Sequence, residues 1–151
     1  MKFSAKGFTL VELMITVALA AILAALAMPN FRNLLQKRNA DSVAETLVSD
    51  LRFARSEALK RTTPVTVCQS SDSATCSVAP GVWKSGWITF IDFNGNGAWD
   101  AGDTLLRVQQ APDGIASIQN NPATDRTFFT FQVTGIAKAA NQTLFVTPSG
   151  T

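Results

Sequence analysis

The segment 92–103 places side-chain oxygens at a spacing that could bind a cation. Counted from its first residue, positions 1, 3, 5, 9 and 12 are Asp92, Asn94, Asn96, Asp100 and Asp103. A glycine at position 6 and a main-chain carbonyl at position 7 complete the pattern of an EF-hand-type calcium loop. Against this, the aspartate at position 12 is shorter than the usual bidentate glutamate, and the segment follows a predicted strand. A polar β-hairpin, whose Asn-Gly steps supply positive φ angles, explains the same residues, and both interpretations stay open.

Histidine, the residue that enzymes use most often for acid–base chemistry, is absent from the sequence. The chain contains no histidine, which excludes a Ser-His-Asp set and a histidine general base. It also has no glycine-rich phosphate loop and no nucleophile elbow. We therefore expect a protein that is not an enzyme and that holds no cofactor, apart from the calcium hypothesis at Asp92 to Asp103.

One carboxylate, Glu12, lies inside an apolar run of 21 residues, 8–28, that follows Lys2 and Lys6. As a helix this run is about 30 Å long, enough to cross a bilayer. A lone acid in hydrocarbon is costly and rarely persists without a partner or a function. The sequence therefore predicts that Glu12 meets a positive charge.

Residue chemistry leaves two ways of processing this N-terminus open. A cleavable secretory signal would use the lysines as its basic region and residues 25–27 as its small-residue cleavage site. The apolar run is longer than that of an ordinary signal, however, and it contains Glu12. The alternative is a cut between Gly7 and Phe8, which keeps the apolar helix and creates an α-amino group four residues before Glu12.

The N-terminal region resembles that of a type IV prepilin, through Lys6-Gly7-Phe8-Thr9-Leu10-Val11-Glu12, the apolar run and Met28-Pro29-Asn30-Phe31. The resemblance implies that a prepilin peptidase cuts after Gly7 and methylates the new N-terminal residue, Phe8. It also implies that Glu12 pairs with the N-terminal amine of a neighbouring subunit during assembly, which would supply the missing positive charge.

Cys68 and Cys76 are the chain's two cysteines, and the segment around them is rich in Ser, Asp and Thr. A membrane-anchored domain outside the cytoplasm lies in an oxidising compartment, so we predict a disulfide between them. Closing so short a loop should stabilise the fold by about 2–3 kcal/mol. A metal site would need more soft ligands than these two.

The charge distribution argues against DNA binding by the whole surface. The formal charge of +2 comes from Lys2 and Lys6, and without them the chain has 11 basic and 11 acidic residues. Basic residues outnumber acidic ones by seven to four in 30–61, whereas acidic residues outnumber basic ones by six to four in 62–151. A chain that binds DNA over its whole surface is normally more basic than this.

Hydrophobic periodicity predicts one long helix followed by strands. Apolar residues recur at helical spacing along one stripe after the membrane segment: Ala40, Val43, Ala44, Leu47, Val48, Leu51, Ala54, Ala58 and Leu59. The helix should run to about Arg61 because Pro64 follows, with a kink or local melting at Pro29. Strands are predicted at 65–68, 87–91, 104–108, 115–118, 127–133 and 143–146. The run 87–91 is apolar on both faces and should lie between the helix and a second sheet.

The second half of the chain resembles the GspH/FimT group of minor pilins, through Asp50-Leu51-Arg52-Phe53-Ala54-Arg55-Ser56-Glu57-Ala58, Gly86-Trp87-Ile88-Thr89-Phe90 and Asp92-Phe93-Asn94-Gly95-Asn96-Gly97. The resemblance implies an α+β fold, with a long N-terminal hydrophobic and amphipathic helix packed on an antiparallel β-sandwich head. We divide the chain into a leader peptide (1–7), a transmembrane and assembly helix (8–28), its amphipathic continuation (29–61) and a β-rich head (62–151).

The same resemblance implies a minor type IV pilin that helps to prime pilus assembly or forms part of the pilus tip. Its partners would be other minor and major pilins, the prepilin peptidase and the inner membrane. It would cross that membrane once, with a periplasmic head, before joining a pilus or pseudopilus. A minor pseudopilin of the type II secretion system is the alternative.

A second alternative is a FimT-like receptor for DNA uptake. In such proteins DNA binding rests on a Gly-Arg-x-Arg element, and the corresponding stretch here is Gly135-Ile136-Ala137-Lys138. Lysine cannot make the bidentate phosphate contact of arginine. Arg126 and Lys138 are therefore expected to be weak DNA contacts at most.

Overall fold

The computed structural model describes residues 7–79, 81–120, 126–138 and 143–150. It contains one helix, α1 (Leu10–Arg61), and a short 3₁₀ helix (Val82–Ser85). Its strands are β1 (Val65–Gln69), β2 (Gly86–Ile91), β3 (Thr104–Gln110), β4 (Ile115–Asn120), β5 (Phe128–Phe131), β6 (Ala137–Lys138) and β7 (Leu144–Pro148). The chain divides into two compact units, Met1–Leu35 and Gln36–Thr151. Most of the predicted leader, residues 1–6, lies outside the described residues.

Helix α1 ends where the sequence predicts. Thr62, directly after Arg61, adopts a left-handed conformation with φ 49°, which closes a helix C-terminus, and Pro64 prevents continuation. Of the kink or local melting expected at Pro29, local melting is wrong, since the backbone stays helical through that position, and the kink stays a prediction. A proline removes one backbone donor and crowds the preceding turn, and the helical turns on either side are enough to carry the helix through.

The strands form two antiparallel sheets. The larger sheet has the order β3-β2-β1-β5-β6, and the smaller one pairs β4 with β7. In the larger sheet Val67 of β1 lies opposite Thr89 of β2 on one side and Phe129 of β5 on the other. One helix followed by antiparallel sheets confirms the predicted α+β class.

The main core lies between the second half of α1 and the sheets. Its helical residues are spaced to share one face and pack with strand residues of both sheets: Val43, Leu47, Ala54 and Ala58 of α1, Val65 and Val67 of β1, Trp87 of β2 and Ile118 of β4. The predicted apolar stripe is therefore only partly correct. Val48 and Leu59, at the edge of the stripe, are 42% and 48% exposed.

The other face of β2 is covered in a way that the sequence did not predict. Ile88 and Phe90 pack with Cys68, Cys76 and Trp99 rather than with a second sheet. The ring of Trp99, in the loop after β2, meets Phe90 edge-on with 5.3 Å between ring centroids. The second sheet instead contributes Ile118 to the core on the helix side. The prediction was wrong because two-sided apolarity does not tell which element provides the cover.

Two strand predictions differ from the structure near the C-terminus. β5 is shorter than the predicted 127–133, because a turn begins at Gln132, whose amide donates to the Ile136 carbonyl at 2.9 Å. Gly135 at φ 73° makes this turn. The two-residue strand β6 was not predicted, since two residues carry no periodic signal.

Candidate functional site

The first turn of α1 is closed by a reciprocal capping box between Thr9 and Glu12. The amide and the hydroxyl of Thr9 each donate to Glu12 Oε2 at 3.0 Å, and the Glu12 amide donates back to Thr9 Oγ1 at 3.2 Å. Thr9 is thus the N-cap and Glu12 the third helical residue, which satisfies amides that a helix N-terminus leaves unpaired. Sequence reasoning missed this role, although the Thr-x-x-Glu signal stands at the start of the apolar run.

The predicted processing residues lie just outside this capped helix. Residues 7–9 are not helical, and Phe8 is 85% exposed. A Cβ placed on Gly7 would meet no other atom within 4 Å. The peptide bond between Gly7 and Phe8 therefore lies in exposed, non-helical chain immediately before α1, and its cleavage stays a prediction.

The apolar part of α1 has the length and composition of a membrane span. An 18-residue window has a mean hydropathy of 2.5, and none of it is buried within the protein. Large side chains on every side of the helix are exposed, for example Leu13, Ile15 and Leu19. Such an all-round apolar surface requires cover by lipid or by other subunits.

The predicted disulfide between Cys68 and Cys76 is confirmed. Cys68 is fully buried on β1 and packs in the second core cluster, so the bridge ties the following loop to the sheet. Within that loop the Asp72 carboxylate accepts hydrogen bonds from the Thr75 hydroxyl, the Thr75 amide and the Ala74 amide. These bonds, the Thr75 hydroxyl first, hold the pKa of Asp72 well below its usual range.

The oxygens of the candidate calcium loop accept hydrogen bonds from the loop itself. Asp92 is fully buried, and its carboxylate accepts from the Thr66 hydroxyl and the Gly97 amide, both at 2.8 Å. Asp100 accepts from the side-chain amides of Asn94 and Asn96, which lowers its pKa.

Asp103 closes the other end of this loop by accepting from the amides of Phe93 and Asp100. Over the described residues, no three acidic or cysteine side chains are grouped so that they could hold a metal ion. Calcium binding by this loop stays a prediction, and the arrangement seen is that of a self-capped turn.

The two candidate DNA contacts each make a hydrogen bond within the head, Lys138 through its side chain and Arg126 through its main chain. The Lys138 amine, on β6, donates to the Gly95 carbonyl at 3.3 Å. The Arg126 carbonyl accepts from the Trp83 indole at 3.2 Å. DNA binding by Arg126 and Lys138 stays a prediction.

An ion pair between the buried Asp50 of α1 and the exposed Arg107 of the edge strand β3, also missed by sequence reasoning, connects these two elements. Asp50 accepts from the Trp87 indole at 2.8 Å and from the Arg107 guanidinium at 2.9 Å. The Arg107 guanidinium also lies 3.8 Å from the centre of the Phe53 ring. The available signal was the position of Asp50 on the buried face of the helix, where an acid needs a partner.

Comparison with known proteins matches two family models to this chain. Residues 2–28 match the prokaryotic N-terminal methylation motif, which covers the capped start of α1 and the apolar run. Residues 43–151, well over half of the chain, match the family described as type II transport protein GspH. No solved structure matches the chain at a significant level. The chain therefore belongs to the GspH family of minor pilins and pseudopilins, which is a structural rather than an enzymatic family.

Proposed function

We propose that this chain is a minor type IV pilin that helps to prime pilus assembly or forms part of the tip complex. The observation that carries the proposal is that a single helix, α1, joins the N-terminal methylation motif to the region that matches the GspH family. Helix α1 begins within the methylation motif and runs as one helix into the region that matches the GspH family, which starts at residue 43. The motif supports insertion into a filament, and the head supports a specialised position within it.

In this proposed function the residues of the N-terminal region 1–28 act in processing, in membrane anchoring and in subunit pairing. A prepilin peptidase removes residues 1–7, so that Phe8 becomes the methylated N-terminus. Helix residues 8–28 anchor the precursor in the inner membrane with the head in the periplasm. Glu12 then meets the N-terminal amine of a neighbouring subunit, because an acid in an apolar filament core requires a positive partner.

Assembly would be driven by covering the exposed apolar surface of α1 with the helices of other minor and major pilins. The free energy gained by this burial depends on the apolar area covered, and it does little to fix the orientation of one subunit relative to the next. The Glu12–amine pair would supply direction, since an ion pair in an apolar surrounding is strongly distance-dependent. Only Oε2 of Glu12 is engaged by Thr9, and Oε1 remains for the amine.

A minor pseudopilin of the type II secretion system is the second candidate. The matched family is described as a type II transport protein, which favours this role. Both candidates use the same helix and the same processing, so they differ in the machine that the chain joins. Loss of surface pili identifies the first, and loss of protein secretion with normal pili identifies the second.

The test is a deletion strain complemented with wild type, Glu12→Ala or Glu12→Gln, scored for sheared surface pilin and for secreted proteins. Glutamine at the third helical position keeps the capping box but cannot pair with an amine as an anion. We expect the wild type alone to restore pili. Asp113→Ala, at an exposed acid of the head, is the matched control and should behave as wild type.

Restoration by Glu12→Gln would show that the helix cap, and not the ion pair, is what assembly needs. Normal pili and normal secretion in the deletion strain would contradict both candidate roles.

A further inference from the structure

The part of α1 that directly follows the apolar run is exposed and basic. Three basic residues occur within ten positions of the end of that run, and all three are exposed: Arg32, Lys37 and Arg38. Among the residues of α1 whose burial is described, the first buried one is Ala40. Residues 31–38, here called the basic segment, therefore lie outside the core of the head.

The charge of the basic segment is not offset within the chain. No acidic residue occurs between Glu12 and Asp41. In the part of the chain that the structure describes, the side chains of Arg32, Lys37 and Arg38 form no salt bridge. Asp41 follows Lys37 by one helical turn and is not paired with it either. Three exposed cations without an internal partner indicate an external anion.

The head contacts the neighbours of these cations and leaves the cations free. The side-chain amide of Asn39 donates to the Asp113 carbonyl at 2.7 Å. The side chain of Gln36 lies so close to Gly150 that a Cβ at this glycine would meet its amide nitrogen at 2.7 Å. The two cations between Gln36 and Asn39 make no such contact, so the near end of the head leaves them available.

Large apolar side chains share the basic segment with the cations. Phe31, Leu34 and Leu35 are 60%, 48% and 51% exposed. Their spacing of three and four places them on one face of the helix, next in sequence to the exposed apolar run. Exposed apolar and basic side chains together are what a helix presents at the boundary between a bilayer and water.

The position of the basic segment fits the headgroup layer of a bilayer that 8–28 crosses. The hydrocarbon core is about 30 Å thick, and the headgroup regions bring the total to about 40–45 Å. At a helical rise of about 1.5 Å per residue, Phe31 to Leu35 follow the span by about 5–10 Å. Lys37 and Arg38 follow by about 14 Å, and long helical side chains lean back towards the N-terminus.

We propose that the basic segment binds anionic phospholipid headgroups on the side of the membrane from which the head emerges. Its three cations contact phosphate oxygens, and its apolar side chains lie among the upper parts of the acyl chains. The inference rests on the proposed function in one respect, since it takes 8–28 as the membrane anchor. The contact holds the head at the membrane surface before assembly and is released when α1 enters a filament.

The test measures the lipid selectivity of the full chain in phosphatidylcholine vesicles that contain a trace of spin-labelled lipid. Electron spin resonance separates lipid in contact with the protein from free lipid, for a phosphatidylglycerol probe and for a phosphatidylcholine probe. We expect the wild type to favour phosphatidylglycerol by about threefold at low salt. This preference should nearly disappear in about 1 M NaCl, because salt screens exposed charges.

Two sets of substitutions in the basic segment test its charge directly. Arg32→Gln with Lys37→Gln and Arg38→Gln should remove most of the preference for phosphatidylglycerol. The three side chains have no ion-pair partner among the described residues, so the fold should be unchanged. The corresponding three glutamate substitutions should produce a preference for a cationic spin-labelled lipid, which a merely structural role of these residues would not do.

The matched control removes the same charge from the head. Arg52→Gln, Arg55→Gln and Lys84→Gln replace three exposed cations far from the apolar run in sequence. This variant should keep the selectivity of the wild type. Lys2 and Lys6 are present in every protein compared, so their own attraction for anionic lipid cancels.

Equal selectivity in the wild type and the basic-segment glutamine variant would overturn the inference. An equal loss in the control variant would do so too, as would a preference that does not change with salt. Flotation of the same vesicles separates these results from failure of the proposed function. Protein that floats without selectivity contradicts the lipid contact alone, whereas protein that does not float contradicts the membrane anchor and the lipid contact together.

Discussion

At the scale of single residues, Thr66 and Thr89 are both fully buried, but only the hydroxyl of Thr66 is hydrogen-bonded. The Thr66 hydroxyl donates to Asp92 at 2.8 Å and lies 2.7 Å from the Thr130 hydroxyl. The Thr89 hydroxyl has no hydrogen-bond partner among the described residues. Burying a polar group without a partner costs free energy, and removing a donor from a buried carboxylate costs more.

Valine has nearly the shape of threonine, so the pair allows a matched test. We expect Thr66→Val to lower the free energy of unfolding of the head by about 2–3 kcal/mol. Thr89→Val should instead raise it by about 1 kcal/mol. Urea unfolding of residues 36–151, which form one compact unit, measures both. Equal losses in the two variants would contradict the hydrogen-bond account.

The capping box at Thr9 makes a second prediction at the residue scale. Thr9→Ala removes the N-cap oxygen and should destabilise the first turn of α1 by about 1 kcal/mol. Thr9→Ser keeps the oxygen and should behave as wild type. Amide hydrogen exchange of the full chain in detergent micelles reports this at Val11 and Glu12. Equal exchange rates in all three proteins would show that the cap does not hold the turn.

At the scale of elements, the loop between the two cysteines depends on an ionised Asp72. Its pKa is lowered in the folded head, so its hydrogen bonds contribute stability fully above the unfolded carboxyl pKa of about 3.9. That contribution is lost as the pH falls through the unfolded and then the folded value. The stability of this loop should therefore decline in acid.

The measurement is the melting temperature of wild-type and Asp72→Asn heads between pH 7 and pH 2. Asparagine retains an acceptor for the loop amides but does not ionise. We expect wild type to be more stable from about pH 5 upwards and the difference to shrink below pH 4. A difference that stays constant over this range would exclude ionisation as its cause.

At the scale of the whole molecule, exposed apolar surface is concentrated in the first unit, where Phe8, Leu10, Leu23 and Leu26 are each more than two-thirds exposed. We expect the full chain to remain in membranes until detergent is added. Residues 36–151, exported with a cleavable signal, should be released as a soluble periplasmic protein. Leu19→Asp in the full chain should weaken insertion by about 3 kcal/mol. Extraction of the unchanged full chain by carbonate would contradict membrane anchoring.

Local chemistry in the sequence was sufficient to predict α1 to Arg61, the approximate positions of six strands and the bridge between Cys68 and Cys76. Hydrophobic periodicity, prolines and cysteine spacing reflect contacts between residues that are close in sequence. They can therefore be interpreted for each segment without knowledge of the rest of the fold.

Tertiary structure alone decided the pairing of β1 with β2 and β5, the cover on the second face of β2 and the Asp50–Arg107 pair. The residues involved are far apart in sequence, and their contacts depend on how the chain closes around a core. Asp92 illustrates the difference: its spacing indicated a cation ligand, whereas burial and the Thr66 hydroxyl give it the surroundings of a turn cap.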